Sequence, residues 1–580
     1  MDPKAFYGVR VPPAEESEDS CLSDSDTDEY SPSTYSALPT EESDSGTDDE
    51  DESNEPSEPS SSMPRSVLWK RVSEPRSCDP SWGDSLPDPP AETKTPIGYF
   101  RYFFDDSVLS LITEQSNLYA VQKNANKPLC LSCLELEQFL GITMYMSIYS
   151  LPRSRMYWSH CTRVEKVAQV MPRDRWQNIK NNLHLNDNDL LSQNNGKDKL
   201  FKIRPLIDML LPKFQGLPKT QKLVIDEQMV PFKGRSSLKQ YLPSKPHKWG
   251  YKIFVLCDIH GMVHDFSIYT GQILPVPGSP DLGASSNIVL QLSQTIPVDK
   301  TYLLFFDNWF TSVKLLVKLL HRGISAMGTI RGNRIPGCRL PSDSEMKKNG
   351  RGSHEERQAT FQDVDVRVVK WYDSRGVTIA STFGSAEPLG HCKRYDRKRK
   401  ETCDVPQPAI VKTYNSFMGG VDLLDGLMAY YRIFLKSKKF YLRFFFHFVD
   451  MALVSSWLMY RRDCDAMAVP KKEQLDLLMF KASVASCLCE QNKDLSRKRG
   501  RPSLSVDAEI EKKKKRGPVA TTPHREVRQD SVGHWPEVAQ KRQRCKMPGC
   551  TGQPVSFCTK CKTHLCISKK SNCFISFHKN

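Results

Sequence analysis

The stretch YNSFMGGVDLLDGLMAYY, residues 414–431, sets two aspartates, Asp422 and Asp425, three positions apart behind a glycine pair. Positions i and i+3 share a helix face, so both carboxylates leave an apolar run in the same direction. An N-terminal helical turn tolerates acids through its macrodipole, but two like charges on one face also suit a site that holds a cation. Two further aspartates stand in apolar surroundings upstream, Asp226 in KLVIDEQMVPF and Asp307 at the end of TYLLFFD. Clustered carboxylates repel and raise one another's pKa, and hard dications neutralise them. Two such ions roughly 3.5–4 Å apart activate a water or 3′-hydroxyl and stabilise the leaving oxygen in phosphoryl transfer. Each acid also has a plainer reading. Asp226 beside Glu227 makes a strand-end polar pair, Asp307 before NWFTS an Asx turn or helix cap, and Asp422 a dipole-stabilising residue.

A second chemistry sits in the tail. Residues 545–578 read Cys545-x4-Cys550-x7-Cys558-x2-Cys561-x2-His564-x-Cys566-x6-Cys573-x4-His578. Thiolates and imidazoles at this density have the makings of two tetrahedral zinc sites. So short a segment has little core, and zinc supplies its folding energy. The N-terminus lacks the basic start and apolar segment of a secretory signal, so the 18 cysteines are not expected to form a disulfide framework.

The elements that must position these groups follow from periodicity. Residues 1–92 are rich in Ser, Pro, Asp and Glu and read as a disordered acidic region. From about 93 to 221 apolar residues recur at three and four, as in CLELEQFLGITMYMSIYS and IRPLIDMLLPKFQ, with Lys and Arg between the stripes. Residues 222–330 then alternate strands and helices: KLVIDEQMVPF, the hairpin YKIFVLCDIHGMVHDFSIYTG, a serine-capped helix SSNIVLQLSQTI, the strand TYLLFFD, the capped helix TSVKLLVKLLHRG and the strand ISAMGTIR. Residues 331–410 are mixed, with a hairpin turning near Ser374–Gly376, and 411–431 return as the acidic helix. Helical patterns resume over 432–490. The expected class is α/β, a sheet covered by helices. YLRFFFHFVDMALVSSWLMY is the most apolar stretch, but Arg443, His447 and Asp450 interrupt it, which suits a buried core helix and no membrane span. The net charge of +14 coexists with an acid-crowded leader, so the body is strongly basic, as a polyanion binder would be. Residues 491–544 form a basic linker holding RGRP, a four-residue match to a minor-groove arm and equally part of a nuclear-import cluster.

VIDEQMVPFKGRSSLKQYLPSKPHKWGYKIFVLCD, DNWFTS, GTIRGNR and YNSFMGGVDLLD, in this order and spacing, resemble the signature blocks of the piggyBac-type DNA transposases and their host-derived relatives. The resemblance covers about residues 97–490 and the cysteine-rich tail. It implies an RNase H-like catalytic core at 222–330 and 411–431, interrupted by a mixed insertion at 331–410. Around it lies a split helical dimerisation and DNA-binding domain at 93–221 and 432–490, followed by a small zinc-binding domain at 545–580. It implies that Asp226, Asp307 and Asp422 hold two Mg²⁺ ions, with Asp425 as a supporting carboxylate. The tail implied is a cross-braced two-zinc module that binds DNA. This tail departs from the usual spacing, with a first gap of four residues and His564 as an extra candidate, which leaves the choice between His564 and Cys566 as ligand open. Lys233, Arg235, Arg331 and Arg334 are expected to grip phosphates. The activity implied is hydrolytic nicking, hairpin formation and strand transfer at TTAA by a nuclear homodimer acting on the terminal inverted repeats of double-stranded DNA. A catalytically silent, sequence-specific nuclear DNA-binding protein is the alternative.

Overall fold

The computed structural model describes residues 68–490 and 523–579, apart from single positions and the short stretches 77–79, 192–197, 244–247 and 397–399 among others. Most of the acidic leader and the RGRP segment lie outside the described residues.

Ten strands make the central sheet: β1 Lys70–Arg71, β2 Lys222–Pro231, β3 Gln240–Tyr241, β4 Trp249–Asp258, β5 Val263–Ile268, β6 Tyr302–Phe306, β7 Ile324–Thr329, β8 His354–Phe361, β9 Val364–Tyr372 and β10 Gly376–Ser381. Their order is β1-β8-β9-β10-β7-β6-β2-β4-β3, with β5 also on β4. At its centre β5, β4 and β2 are antiparallel neighbours, and β2, β6 and β7 run parallel. The central parallel strand β6 is buried throughout, as a covered parallel strand must be, which is why YLLFF is continuously apolar. Strands β8 to β10 lie in the segment read as an insertion, and they continue the same sheet beyond β7. The leader also joins it: Arg71 and Lys70 pair with β8, Trp69 Nε1 donates to the Pro336 carbonyl at 3.0 Å, and Arg76 bonds Asp365 at 2.7 Å.

The helices that matter for the site are α1 Pro96–Phe103, α2 Cys133–Tyr149, α3 Ala284–Ser293, α4 Val313–His321, α5 Gly420–Tyr430, α6 Phe440–Ala466 and α7 Leu477–Glu490. α2 starts at a capping box built by Ser132 and Glu135. α4 starts at Ser312, whose hydroxyl accepts the Leu315 N–H. α3 differs from its reading: its N-cap is Gly283, and the serines after it lie inside the helix. α1 and α2 pack with α6 and α7, so the helices before and after the sheet form one layer. Tyr99 donates to Asp463 at 2.8 Å, and Ser456 to the Tyr99 carbonyl at 3.2 Å. By length and composition α6 could cross a membrane, but 78% of its most apolar stretch is buried inside the protein.

α7 is tied to this layer by a buried ion pair. Lys481 Nζ donates to Asp450 Oδ1 at 3.1 Å and to the Tyr431 carbonyl at 2.6 Å, while Asp450 Oδ2 accepts the Ile433 N–H at 2.8 Å. Burial pushes the Asp450 carboxyl up and the Lys481 ammonium down, and each opposes that shift in the other. The clamp fixes the chain immediately after α5, the acidic helix.

Candidate metal centres of the core and the tail

Register places the first two acids. Ile225 of β2 lies opposite Phe306 of β6, so Asp226 and Asp307 follow the last paired residues of adjacent parallel strands. α5 crosses the neighbouring strand β4 at its end, and a glycine permits it: a Cβ on Gly420 would stand 2.4 Å from the Asp258 carbonyl oxygen. Asp422 occupies the first turn of α5 and is exposed, whereas Asp425 is half-buried one turn further on. Two buried groups sense this gathering of charge. The Cys257 thiol is pushed well up by burial and then by Asp258, Asp226, Asp422 and Asp425. The Tyr414 hydroxyl is raised by burial, with Asp307 and Asp226 adding to the rise.

The acids gather at one sheet end without sharing a coordination sphere. Among the described residues, groups of three or more His, Cys, Asp or Glu whose ligand atoms all lie within 4.8 Å of one another occur in the tail and not here. Asp226 and Asp307 each take a local backbone donor instead. Asp226 Oδ1 accepts the Glu227 N–H at 2.8 Å, and Asp307 Oδ1 accepts the Trp309 N–H at 2.8 Å, the Asx turn that its sequence allows. Burial raises the Asp307 carboxyl above its usual range, with the Glu227 charge adding to the rise and the Trp309 N–H and Lys252 opposing it. Three oxygen-donor side chains in a partly desolvated site fit a hard dication, which would relieve both repulsion and desolvation.

Asp425 is positioned by residues that motif spacing did not single out. Gln228 Nε2 donates to Asp425 Oδ1 at 2.6 Å, which leaves Gln228 Oε1 to accept from His447 Nε2 of α6 at 2.7 Å. Burial holds His447 neutral, its pKa pushed down to about 3. Strand alternation was the available signal, because Gln228 is two residues from Asp226 and shares its face.

The four expected cations divide. Lys233, Arg235 and Arg331 are exposed. Arg334 is not a free phosphate grip: its Nη1 donates to the carbonyls of Asn308, Trp309 and Thr311 at 3.2, 2.7 and 3.1 Å. It holds the Asp307 loop in shape, because that tight turn leaves three carbonyls facing the same point. Lys252 and Glu227 form an ion pair at 2.5 Å beside the acids.

In the tail, two four-residue groups assemble: His534, Cys558, Cys561 and His578, and Cys545, Cys550, Cys566 and Cys573. A tetrahedron with Zn–S of about 2.3 Å and Zn–N of about 2.0–2.1 Å has S···S edges of about 3.8 Å and S···N edges of about 3.5 Å. Cys550 Sγ lies 3.8 Å from Cys566 Sγ, far beyond a disulfide. His534 Nδ1 lies 3.3 Å from Cys558 Sγ and 3.5 Å from Cys561 Sγ, and His578 Nε2 3.5 Å from Cys561 Sγ. Both imidazoles face the sulfurs with a nitrogen whose ring partner is engaged elsewhere. His578 Nδ1 donates to the Phe574 carbonyl at 2.7 Å, and His534 Nε2 to Val527 O and Asp530 Oδ1, each at 3.0 Å. Such outer bonds fix the tautomer a metal requires. Hydrogen bonds from Cys561, chiefly its thiol, hold the Cys558 thiol low, down to about 4, which favours the thiolate. The donor set fits zinc.

His564 is the correction. It belongs to neither group; its ring stacks on Phe557 at 5.6 Å, and its Nε2 is buried without a hydrogen-bond partner. His534 takes the fourth position, from a stretch read as linker. There a strand, β11 Pro536–Val538, pairs with β12 Ser556–Cys558, so the fold of the tail begins before Cys545. A histidine outside the cysteine run gives no spacing signal.

Comparison with known proteins places this architecture. A family model described as Transposase IS4 matches residues 95–457. PiggyBac transposable element-derived protein 2 of Homo sapiens is 33% identical over 478 residues, covering 80% of this chain and 75% of that protein. PiggyBac transposable element-derived protein 3 of Homo sapiens is 35% identical over 373 residues, covering 63% of this chain and 61% of that protein. The cryo-EM structure of a piggyBac transposase synaptic complex with hairpin DNA superposes with a TM-score of 0.60 at 20% identity, over 82% of this chain and all of the other. With its mixed α/β fold, its acids at one sheet end and its two Cys/His groups, the chain belongs to the piggyBac transposase family.

Proposed function

We propose that this protein is a metal-dependent DNA strand transferase of the cut-and-paste type, cleaving and joining at TTAA in the nucleus as a homodimer. The observation that carries this reading is the placement of Asp226 and Asp307 directly after the last paired residues of two parallel neighbours, Ile225 and Phe306, with α5 bringing Asp422 and Asp425 near them. The order β5-β4-β2-β6-β7, three antiparallel strands and then two parallel ones, supports an RNase H-like core. Asp226, Asp307 and Asp422 would hold two Mg²⁺ ions, which supply Lewis acidity to the attacking and leaving oxygens of an in-line displacement. Gln228 holds Asp425 against them as a supporting carboxylate. Arg334 and the Trp309 N–H fix the direction of Asp307, and Lys252 balances Glu227 so that the added acid does not repel the ligand set. Lys233, Arg235 and Arg331 face solvent where phosphates would pass. The two tail groups hold structural zinc, with exposed Lys541, Arg542 and Arg544 beside Cys545 for DNA contact.

The test uses the purified full chain, Mg²⁺, a duplex oligonucleotide with a free 3′-hydroxyl and a plasmid target. Joints that fall at TTAA and vanish in Asp307→Asn support the reading. DNA binding without joining supports the second reading, a silent nuclear DNA-binding protein, which is favoured by one observation: Asp226, Asp307 and Asp425 each already accept a hydrogen bond from a neighbouring group of the protein.

A further inference from the structure

The metal site lies at one place on β2, but the same face of the sheet carries a second, differently built surface. Side chains alternate along a strand, so Trp249, Tyr251, Ile253 and Val255 of β4 share one face, and Val255 pairs with Asp226. Trp249 therefore stands on the acids' side of the sheet, about 20 Å along the strand from Asp226. Its cross-strand partner is Tyr241 of β3. The two rings lie 4.7 Å apart between centroids, and Lys239 Nζ sits 4.6 Å over the Trp249 ring. Both rings are half open to solvent, at 49% and 48% exposure.

Rings this exposed are normally tucked away, and these have rigid support beneath them. Tyr251 stacks between Phe232 at 5.0 Å and Phe444 of α6 at 4.7 Å. A third exposed ring is linked to the same sheet through Arg443. Phe434 is 65% exposed and lies 5.0 Å from the Arg443 guanidinium. Arg443 in turn donates to the Pro231 carbonyl at 3.1 Å, and Pro231 pairs with Gly250 beside Trp249. Charge completes the pattern. Residues 228–257 and 426–449, which supply this whole surface, contain no Asp or Glu. Lys233, Arg235, Lys248, Lys436 and Lys438 are exposed within them.

We propose that Tyr241, Trp249 and Phe434 form a stacking platform for the unpaired bases of a single DNA strand, whose phosphates the surrounding cations hold. Exposed aromatics interleaved with cations bind single strands, since every base has a π-face and the backbone is a polyanion. A duplex offers its bases already stacked and would engage the cations alone. The platform rests on the reading of this chain as a DNA-processing protein. It gives a reason for rings on the acids' side of the sheet: strand cleavage and hairpin opening release unpaired flanks that must be kept in place.

The test measures fluorescence anisotropy of the full chain with a labelled oligothymidine and with a mixed-sequence duplex of the same length, over a salt series. Trp249→Ala and, on a separate element, Phe434→Ala are each expected to weaken oligothymidine binding about tenfold. Duplex binding should change less than twofold, the salt slope should stay the same, and Trp249→Phe should retain most of the affinity. The variants should melt at the parent's temperature, because both rings are solvent-exposed. Equal losses for single strand and duplex, or no loss for either, overturn the platform. A parent chain that binds duplex but not oligothymidine overturns the platform alone, and one that binds neither overturns the DNA reading with it.

Discussion

Replacing His534 by alanine should cost the tail one of two zinc ions, whereas His564→Ala should cost none. The magnitude comes from the observed edges. A tetrahedral edge is about 1.63 bond lengths, so the 3.8 Å between Cys550 and Cys566 sulfurs corresponds to a metal–sulfur bond of about 2.3 Å, the zinc–thiolate value. The S···N separations of 3.3–3.5 Å around His534 and His578 match mixed sulfur and nitrogen ligation in the other group. Structural zinc contributes about 10–16 kcal/mol to the folding of small domains. The tail's own core comprises Leu565, Phe574 and Phe577 besides its cysteines, which is too little to fold without such a term. Elemental analysis of the dialysed full chain should give two zinc ions per chain, falling to about one in His534→Ala. X-ray absorption should give an average coordination of three sulfurs and one nitrogen per zinc. Retention of both ions by His534→Ala, together with loss of one by His564→Ala, would refute the assignment.

Three other outcomes follow from buried groups in the body. Lys481→Met strands the Asp450 charge and should lower stability by about 3–5 kcal/mol in urea unfolding, while adding Asp450→Asn should restore most of it. Gln228→Leu leaves the His447 N–H and the Asp425 oxygen without their shared partner and should cost about 1–3 kcal/mol, with Asp425 mobility rising in hydrogen exchange across α5. Asp265 has its pKa raised to about 6 by burial, opposed by bonds from Gln215 and Phe266. The folded state thus holds its proton more tightly than the unfolded chain. That stabilisation is complete below about pH 4 and lost as pH rises through 6, worth at most about 3 kcal/mol. Asp265→Asn should therefore melt higher than the parent at pH 7.5 and equal to it at pH 4.

The alternation of strands and helices over 222–330 was legible because the strands, the hairpin's included, are mostly buried and read as short apolar runs between helices. TYLLFFD and KLVIDEQMVPF both announce their places this way. The paired acids on α5 were legible from helical spacing, and the cysteine run from its density. The residues that escaped are those whose role depends on folding. Gln228 and His447 have no distinctive spacing and meet only when α6 crosses β2. Arg334 looks like any surface cation until the Asp307 turn presents three carbonyls to it. His534 lies among basic, glycine- and proline-containing residues that conceal β11. The hairpin that turns near Ser374–Gly376 was readable as two strands, but β8 before it was not, and nothing in the hairpin's own pattern tells which sheet it extends.

One margin of the ten-stranded sheet is finished by a strand of only two residues, Lys70–Arg71, whereas the other is shared by Gln240–Tyr241 and the six residues of β5. An uncovered edge is a template for another chain, and β1 occupies Arg357 and Gln358 at the middle of the eight residues of β8. A truncation meant to remove the acidic leader should thus stop at residue 63. Cutting on to residue 72 would strip the hem from the middle of β8 and join its open stretches into one border that favours self-association.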